Sequence, residues 1–182
     1  LEELAKPLTG GLKVPVKKHL STVLPLMLFP LLLATGCQHV VSMDNYALTK
    51  ADQNIIETYL AEEIIKPAYG GKIFSAHRVL LSDRQEGKIY LWAFIQEYYR
   101  EIGELQKGTG VSVPVVLNVA EENNSLKIRG HLLPGNGNQF PEDIDRLFPK
   151  QIRKQILDYP LTEGIHELVA EVEAKVQAAV IN

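Results

Sequence analysis

The residue best equipped for chemistry by type and setting is Cys37, the one cysteine among 182 residues. A single thiol closes no intramolecular disulfide, and zinc sites of the usual kind need several spaced ligands. Its neighbourhood points elsewhere. Lys17 and Lys18 make a positive patch, followed by an apolar run from Leu20 to Leu33 that Pro25 and Pro30 interrupt. As a helix those 14 residues would reach roughly 21 Å. A bilayer core of about 30 Å needs about 20 residues, so the run suits the apolar region of an export signal better than a membrane span. Two prolines would also be costly in a buried globular helix.

Small residues complete the pattern, Leu33-Ala34-Thr35-Gly36-Cys37. This stretch resembles the lipobox of bacterial lipoproteins, with Ala34 standing where leucine is commoner. The resemblance implies addition of a diacylglyceryl group, carrying palmitate-type chains, to the Cys37 thiol and cleavage of the Gly36–Cys37 bond. Cys37 would then open the mature chain, held at the cell membrane or outer membrane on the extracytoplasmic side. The expected organisation is a signal segment over 1–37, a short tether over 38–48 and one domain over 49–182. An alternative start at Val16 is expected as well, which would make residues 1–15 an extension of the reading frame.

The other candidates form no known catalytic set. His39, His77, His131 and His166 have no partner at metal-ligand spacing such as His-x-x-x-His; His77 and His131 sit on predicted strands and could meet across a sheet. No Gly-x-Ser-x-Gly elbow occurs, and Gly135-Asn136-Gly137 lacks the Lys-Ser/Thr and helix of a phosphate cradle. Asp83, Glu86, Glu97 and Glu101 are carboxylates of the kind that cap turns or face water. Tyr90, Trp92, Phe94 and Tyr98 are separated by even numbers of residues and so share one face of a strand. Covered by a helix they are core, the favoured reading because large aromatics dominate cores. Uncovered, they would line a groove with Arg78, Arg129, His77 or His131 nearby. No cofactor or metal is implied.

Helical spacing predicts the first element after Thr49, whose side chain and Asp52 stand in capping-box positions. Its stripe runs through Ala51, Ile55, Tyr59 and Ile56, Leu60, Ile64, and Pro67, Gly70 and Gly71 end it. Four strands follow: Lys72–Leu81, Lys88–Tyr99, Val111–Ala120 after a Gly-rich turn over 103–110, and Leu126–Leu133 after Asn123-Asn124. Pro114 predicts an edge or a bulge. The second strand is apolar on both faces, Ile89, Leu91, Ala93 and Ile95 against Tyr90, Trp92 and Phe94, and should be central and covered twice. In the third, Val111, Val113, Val115, Leu117 and Val119 share a face. In the fourth, Leu126, Ile128 and Leu132 oppose Lys127, Arg129 and His131. A loop over 131–141 leads to a helix over 142–158, broken at Phe148-Pro149. Thr162 caps a last helix with the stripe Ile165, Leu168, Val169, Val172, Val176, Val180 and a Glu171–Lys175 pair. Short turns between strands predict an α+β fold: a helix on a four-stranded antiparallel meander, then C-terminal helices.

That layout resembles the cystatin-like and nuclear-transport-factor-like folds. Trp92, Glu97-Tyr98-Tyr99, Gly108-Thr109-Gly110, Pro114-Val115-Val116-Leu117 and Leu147-Phe148-Pro149 resemble an uncharacterised domain of secreted Gram-positive proteins over roughly 72–157. No activity comes with that resemblance. In cystatin inhibitors a hairpin with Gln-x-Val-x-Gly enters a protease; here Gln106-Lys107-Gly108-Thr109-Gly110 puts glycine where the valine's apolar contact is needed.

Charge narrows the function classes. The net charge is −3; without residues 1–37 it is −5, from 15 basic and 20 acidic side chains. An acidic body without a basic stripe excludes a nucleic-acid partner, and lipid would have to supply the membrane contact that charge does not. The expectation is a lipid-anchored, non-catalytic binding or interaction module with a protein or peptide partner. The alternative is a small-ligand binder or enzyme using the concave sheet face.

Overall fold

In a computed structural model, residues 45–181 are described, with side chains to Ala179. The expected signal segment, the Gly36–Cys37 bond, His39, most of the 38–48 tether and the Val180 side chain lie outside them. The described residues fall within one compact unit, α+β in class, with one antiparallel sheet and helices before and after it.

Helix α1 (Lys50–Glu63) starts as its cap predicts. Asp52 N–H donates to Thr49 Oγ1 at 3.2 Å, and Thr49 N–H donates to Asp52 Oδ2 at 2.9 Å. The other Asp52 oxygen accepts the Leu126 N–H at 3.3 Å, so the cap also docks the helix on the fourth strand. Ile56 and Leu60 are the fully buried members of the stripe.

Strands β1 (Lys72–Asp83), β2 (Lys88–Glu101), β3 (Glu104–Glu122) and β4 (Ser125–Leu132) pair in chain order. Asn123 and Asn124 form the last turn with φ of 53° and 61°, the left-handed geometry that two-residue hairpins need. β2 is covered twice, as its composition requires. Ile89, Leu91, Ala93 and Ile95 pack with Val115 and Leu117 under α1. Tyr90 and Trp92 pack with Val116 beneath the C-terminal helices. Those helices are α2 (Gln139–Leu147), α3 (Lys150–Asp158) and α4 (Glu163–Ile181), with a 3-10 turn at Tyr159–Leu161 before α4. Pro149 precedes α3 as its N-cap.

Three expectations need correction. The Gly-rich stretch 103–110 is mostly strand: the turn is Ile102-Gly103 alone, and β3 resumes at Glu104. Gly108 and Gly110 serve close packing there, since a Cβ at either would lie 2.5 Å from Glu97 Oε2 and 2.4 Å from Gln96 Oε1. In β4 the alternation reverses midway. Asn118 faces Gly130 and Val119 faces Ile128, leaving Arg129 as the extra residue of a bulge. One extra residue inverts the phase of a strand, so Leu132 stands opposite Val116 on the face away from α1 and is left exposed. Finally, Lys175 does not pair with Glu171. It reaches Glu57 of α1 at 2.7 Å and donates to the Ser75 carbonyl at 2.7 Å, spanning the edge strand β1 and clasping the two helical layers. Pro114 is reconciled by sheet length: β4 pairs with β3 only from Val116 onward, so β3 is locally an edge at the proline.

Candidate functional site

The sequence-derived candidates do not form one surface. Tyr90 and Trp92 are core, 5% and 3% exposed. Trp92 stacks on Tyr159 with ring centres 4.9 Å apart and donates its indole N–H to Ser112 Oγ at 2.9 Å. Phe94 is half-buried against the same cluster. Arg78, opposite Trp92 in the sheet register, binds Glu167 at 3.1 Å and Glu171 at 2.9 Å on α4. Arg129 pairs with Glu122. His131 bonds the Tyr59 hydroxyl through Nδ1 at 2.9 Å, at the far edge of the sheet. His77 lies on β1 and His131 on β4, the first and last strands, so they do not meet.

His77 is buried, and neither ring nitrogen has a hydrogen-bond partner. Its Nδ1 lies 4.0 Å from Glu57, but Glu57 already neutralises Lys175 at 2.7 Å. Burial, reinforced by the Lys175 and Arg78 charges, pushes its pKa down to about 4. The imidazole is therefore a neutral core group. Among the described residues no three His, Cys, Asp or Glu side chains gather as a metal site.

The carboxylates divide. Asp83 caps its turn by accepting the Glu86 N–H at 2.9 Å, and Glu86 pairs with Lys88 at 3.7 Å. Glu97 departs from the expectation, being fully buried. Its oxygens accept N–H groups from Ala68, Tyr69 and Gly71 at 2.9 Å each and from Thr109 at 3.1 Å. Burial alone would raise its pKa; the four backbone donors outweigh it and hold the group down to about 2. Four donors to one carboxylate satisfy a buried charge without a cation. The sequence carried a signal: an acid inside an aromatic strand, with Gly70-Gly71 on one side and Gly108-Thr109-Gly110 on the other.

Glu97 thereby builds a surface. It fastens the 68–71 loop to the β2–β3 hairpin, so that Tyr69 stacks on Tyr99 with ring centres 4.7 Å apart and an interplanar angle of 11°. Gly71 must lack a side chain there, because a Cβ would stand 2.4 Å from the Tyr98 carbonyl oxygen. On the other side, Lys107 of the hairpin binds Glu173 of α4 at 2.8 Å. Between loop, hairpin and α4 lies an open groove of about 550 Å³, with Phe74, Tyr98, Leu105 and Val176 among its lining and Lys72 and Arg100 beside them. Among the described residues its lining holds no carboxylate. Beyond the groove the hairpin ends at Ile102, wholly exposed with φ of 51°, where Arg100 Nη1 donates to the Gly103 carbonyl at 3.0 Å.

Comparison with protein-family models, curated proteins and solved structures finds no match to this chain.

Proposed function

We propose that the chain is a membrane-tethered, non-catalytic binding module whose recognition surface is the hairpin end of the sheet. The observation that carries the binding part is a clustering of apolar exposure. Tyr69 (61%), Ile102 (101%) and Leu105 (36%) lie at this one end, next to the Tyr99 ring and the groove. Exposed tyrosine and arginine side chains on a rigid platform are what protein interfaces concentrate at their centres. The platform is rigid because Glu97 and the Lys107–Glu173 pair fix it from both sides.

The tether rests on the segment before Cys37, with its paired lysines, short apolar run and small residues. No helix among the described residues is long and apolar enough to cross a membrane. The alternative role on the concave sheet face has no supporting observation, because both faces are covered by helices.

A photo-crosslinking side chain placed at Tyr69 tests the reading, with Leu157, 51% exposed on α3, as the control position. In intact cells the Tyr69 probe should give a discrete crosslinked product that the Leu157 probe does not. Equal crosslinking from both positions, or none from Tyr69, would contradict it.

A further inference from the structure

We infer that the groove takes a carboxylate carried on an apolar or aromatic body. The inference rests on the reading of this end of the molecule as the recognition surface and adds the chemistry of what it recognises. Three observations carry it.

The first is the asymmetry of charge. Lys72 and Arg100 are the ionised side chains of the lining, both cationic. Two neighbouring charges are matched, Lys107 by Glu173 and Glu97 by four N–H groups. Neither Lys72 nor Arg100 has a carboxylate oxygen within 4.0 Å among the described residues. Arg100 gives one donor to the Gly103 carbonyl, while a guanidinium has five. The second is segregation. On the hairpin, Arg100 pairs with Leu105 and Glu101 with Glu104; side chains alternate between faces, so the two acids leave from the face opposite Arg100 and Leu105, and neither is among the described lining residues. The third is the floor. Phe74, Tyr98 and Val176 belong to the apolar cluster that continues beneath the C-terminal helices, and the Lys72 ammonium sits 5.2 Å from the centre of the Phe74 ring.

An apolar floor with two cations at its rim complements a single anionic head on an apolar body. A carboxylate suits the Arg100 fork, which binds planar anions through parallel hydrogen bonds. Such a group occurs both in a free organic acid and at the C-terminal residue of a peptide, and the test separates these sources.

Calorimetric titration of the full chain would use four probes: 3-phenylpropionate, its primary amide, and a short peptide ending in phenylalanine as free acid and as amide. Each acid that binds should do so at least about 10-fold more tightly than its amide, a difference of about 1.4 kcal/mol. The Lys72→Gln/Arg100→Gln double variant, checked for folding by circular dichroism, should reduce that ratio to about one. Preference for the small acid alone assigns a free organic acid; preference for the peptide acid alone assigns a chain terminus. Equal binding of acid and amide, preference surviving in the double variant, or no binding of either acid would overturn the inference. Those results leave the Tyr69 crosslinking comparison standing, since it does not depend on ligand charge.

Discussion

At the scale of single residues the chain holds two buried titratable groups with opposite logic. Glu97 is stabilised as an anion by four N–H donors, and its pKa falls from 4.5 to about 2 on folding. A depressed acid contributes stability that is complete above its unfolded value and lost as pH falls through its folded one. His77 is stabilised as a neutral base, its pKa falling from 6.5 to about 4. Below pH 6.5 the unfolded chain takes up a proton that the folded chain refuses, so this contribution also declines with falling pH, between 6.5 and 4. Denaturation monitored against pH should therefore show two consecutive losses. His77→Phe should flatten the upper one, on the order of 3 kcal/mol from a shift of this size. Glu97→Gln should remove the lower one and destabilise the protein at neutral pH, because an amide cannot accept all four N–H groups. Ile102 carries a different cost. A β-branched residue in the left-handed region is disfavoured by roughly 1–2 kcal/mol, and this side chain makes no burial to offset it. Ile102→Asn, giving the favoured Asn-Gly turn, should raise stability in urea by about 1 kcal/mol. A decrease would mean that the isoleucine has a structural role its exposure does not reveal.

At the scale of elements, the bulges decide what the sheet presents. The β2–β3 irregularity between Gln96 and Tyr98 brings Glu97 opposite Gly108 and Thr109, and the pinned carboxylate leaves no room for a side chain at Gly108. Gly108→Ala should cost about 1–3 kcal/mol by overpacking and speed amide exchange across 104–109; an unchanged exchange pattern would show that the hairpin is held by its own ladder alone. The same elements show what a sequence makes legible. The capping box of α1, the Asn123-Asn124 turn and the two-faced burial of β2 rest on local chemistry and period, and they are where periodicity puts them. The Arg129 bulge defeats period-two reasoning, because one unpaired residue leaves no mark on an otherwise alternating strand. Gly103 to Gly110 misleads for the converse reason: glycine marks a turn or a close approach, and only tertiary structure says which. The Glu97 site needed contacts with residues 26 to 29 positions away on one side and 12 on the other, beyond any local pattern.

At the scale of the molecule, the described unit is an antiparallel sheet between helical layers, clasped at its β1 edge by Lys175 and Glu57. Trp92 belongs to that core and not to a surface. Trp92→Ala should destabilise by about 3–5 kcal/mol yet leave the groove's ligand preference intact in the fraction that folds, whereas Arg100→Gln should weaken that preference with little effect on stability. The groove is open and shallow, and sites of that kind bind weakly as isolated contacts. A lipid anchor would change this by confining the module beside its partner, which raises effective concentration without adding a contact. Two or three acyl chains suffice for stable attachment where one is marginal. Tethering therefore turns on Cys37. Growth with a palmitate analogue, followed by N-terminal mapping of the recovered protein, measures this directly. We expect label on the wild type, none on Cys37→Ser, and a mature chain beginning at Cys37. An unlabelled wild type, or a mature N-terminus at any other position, would contradict the tethered module.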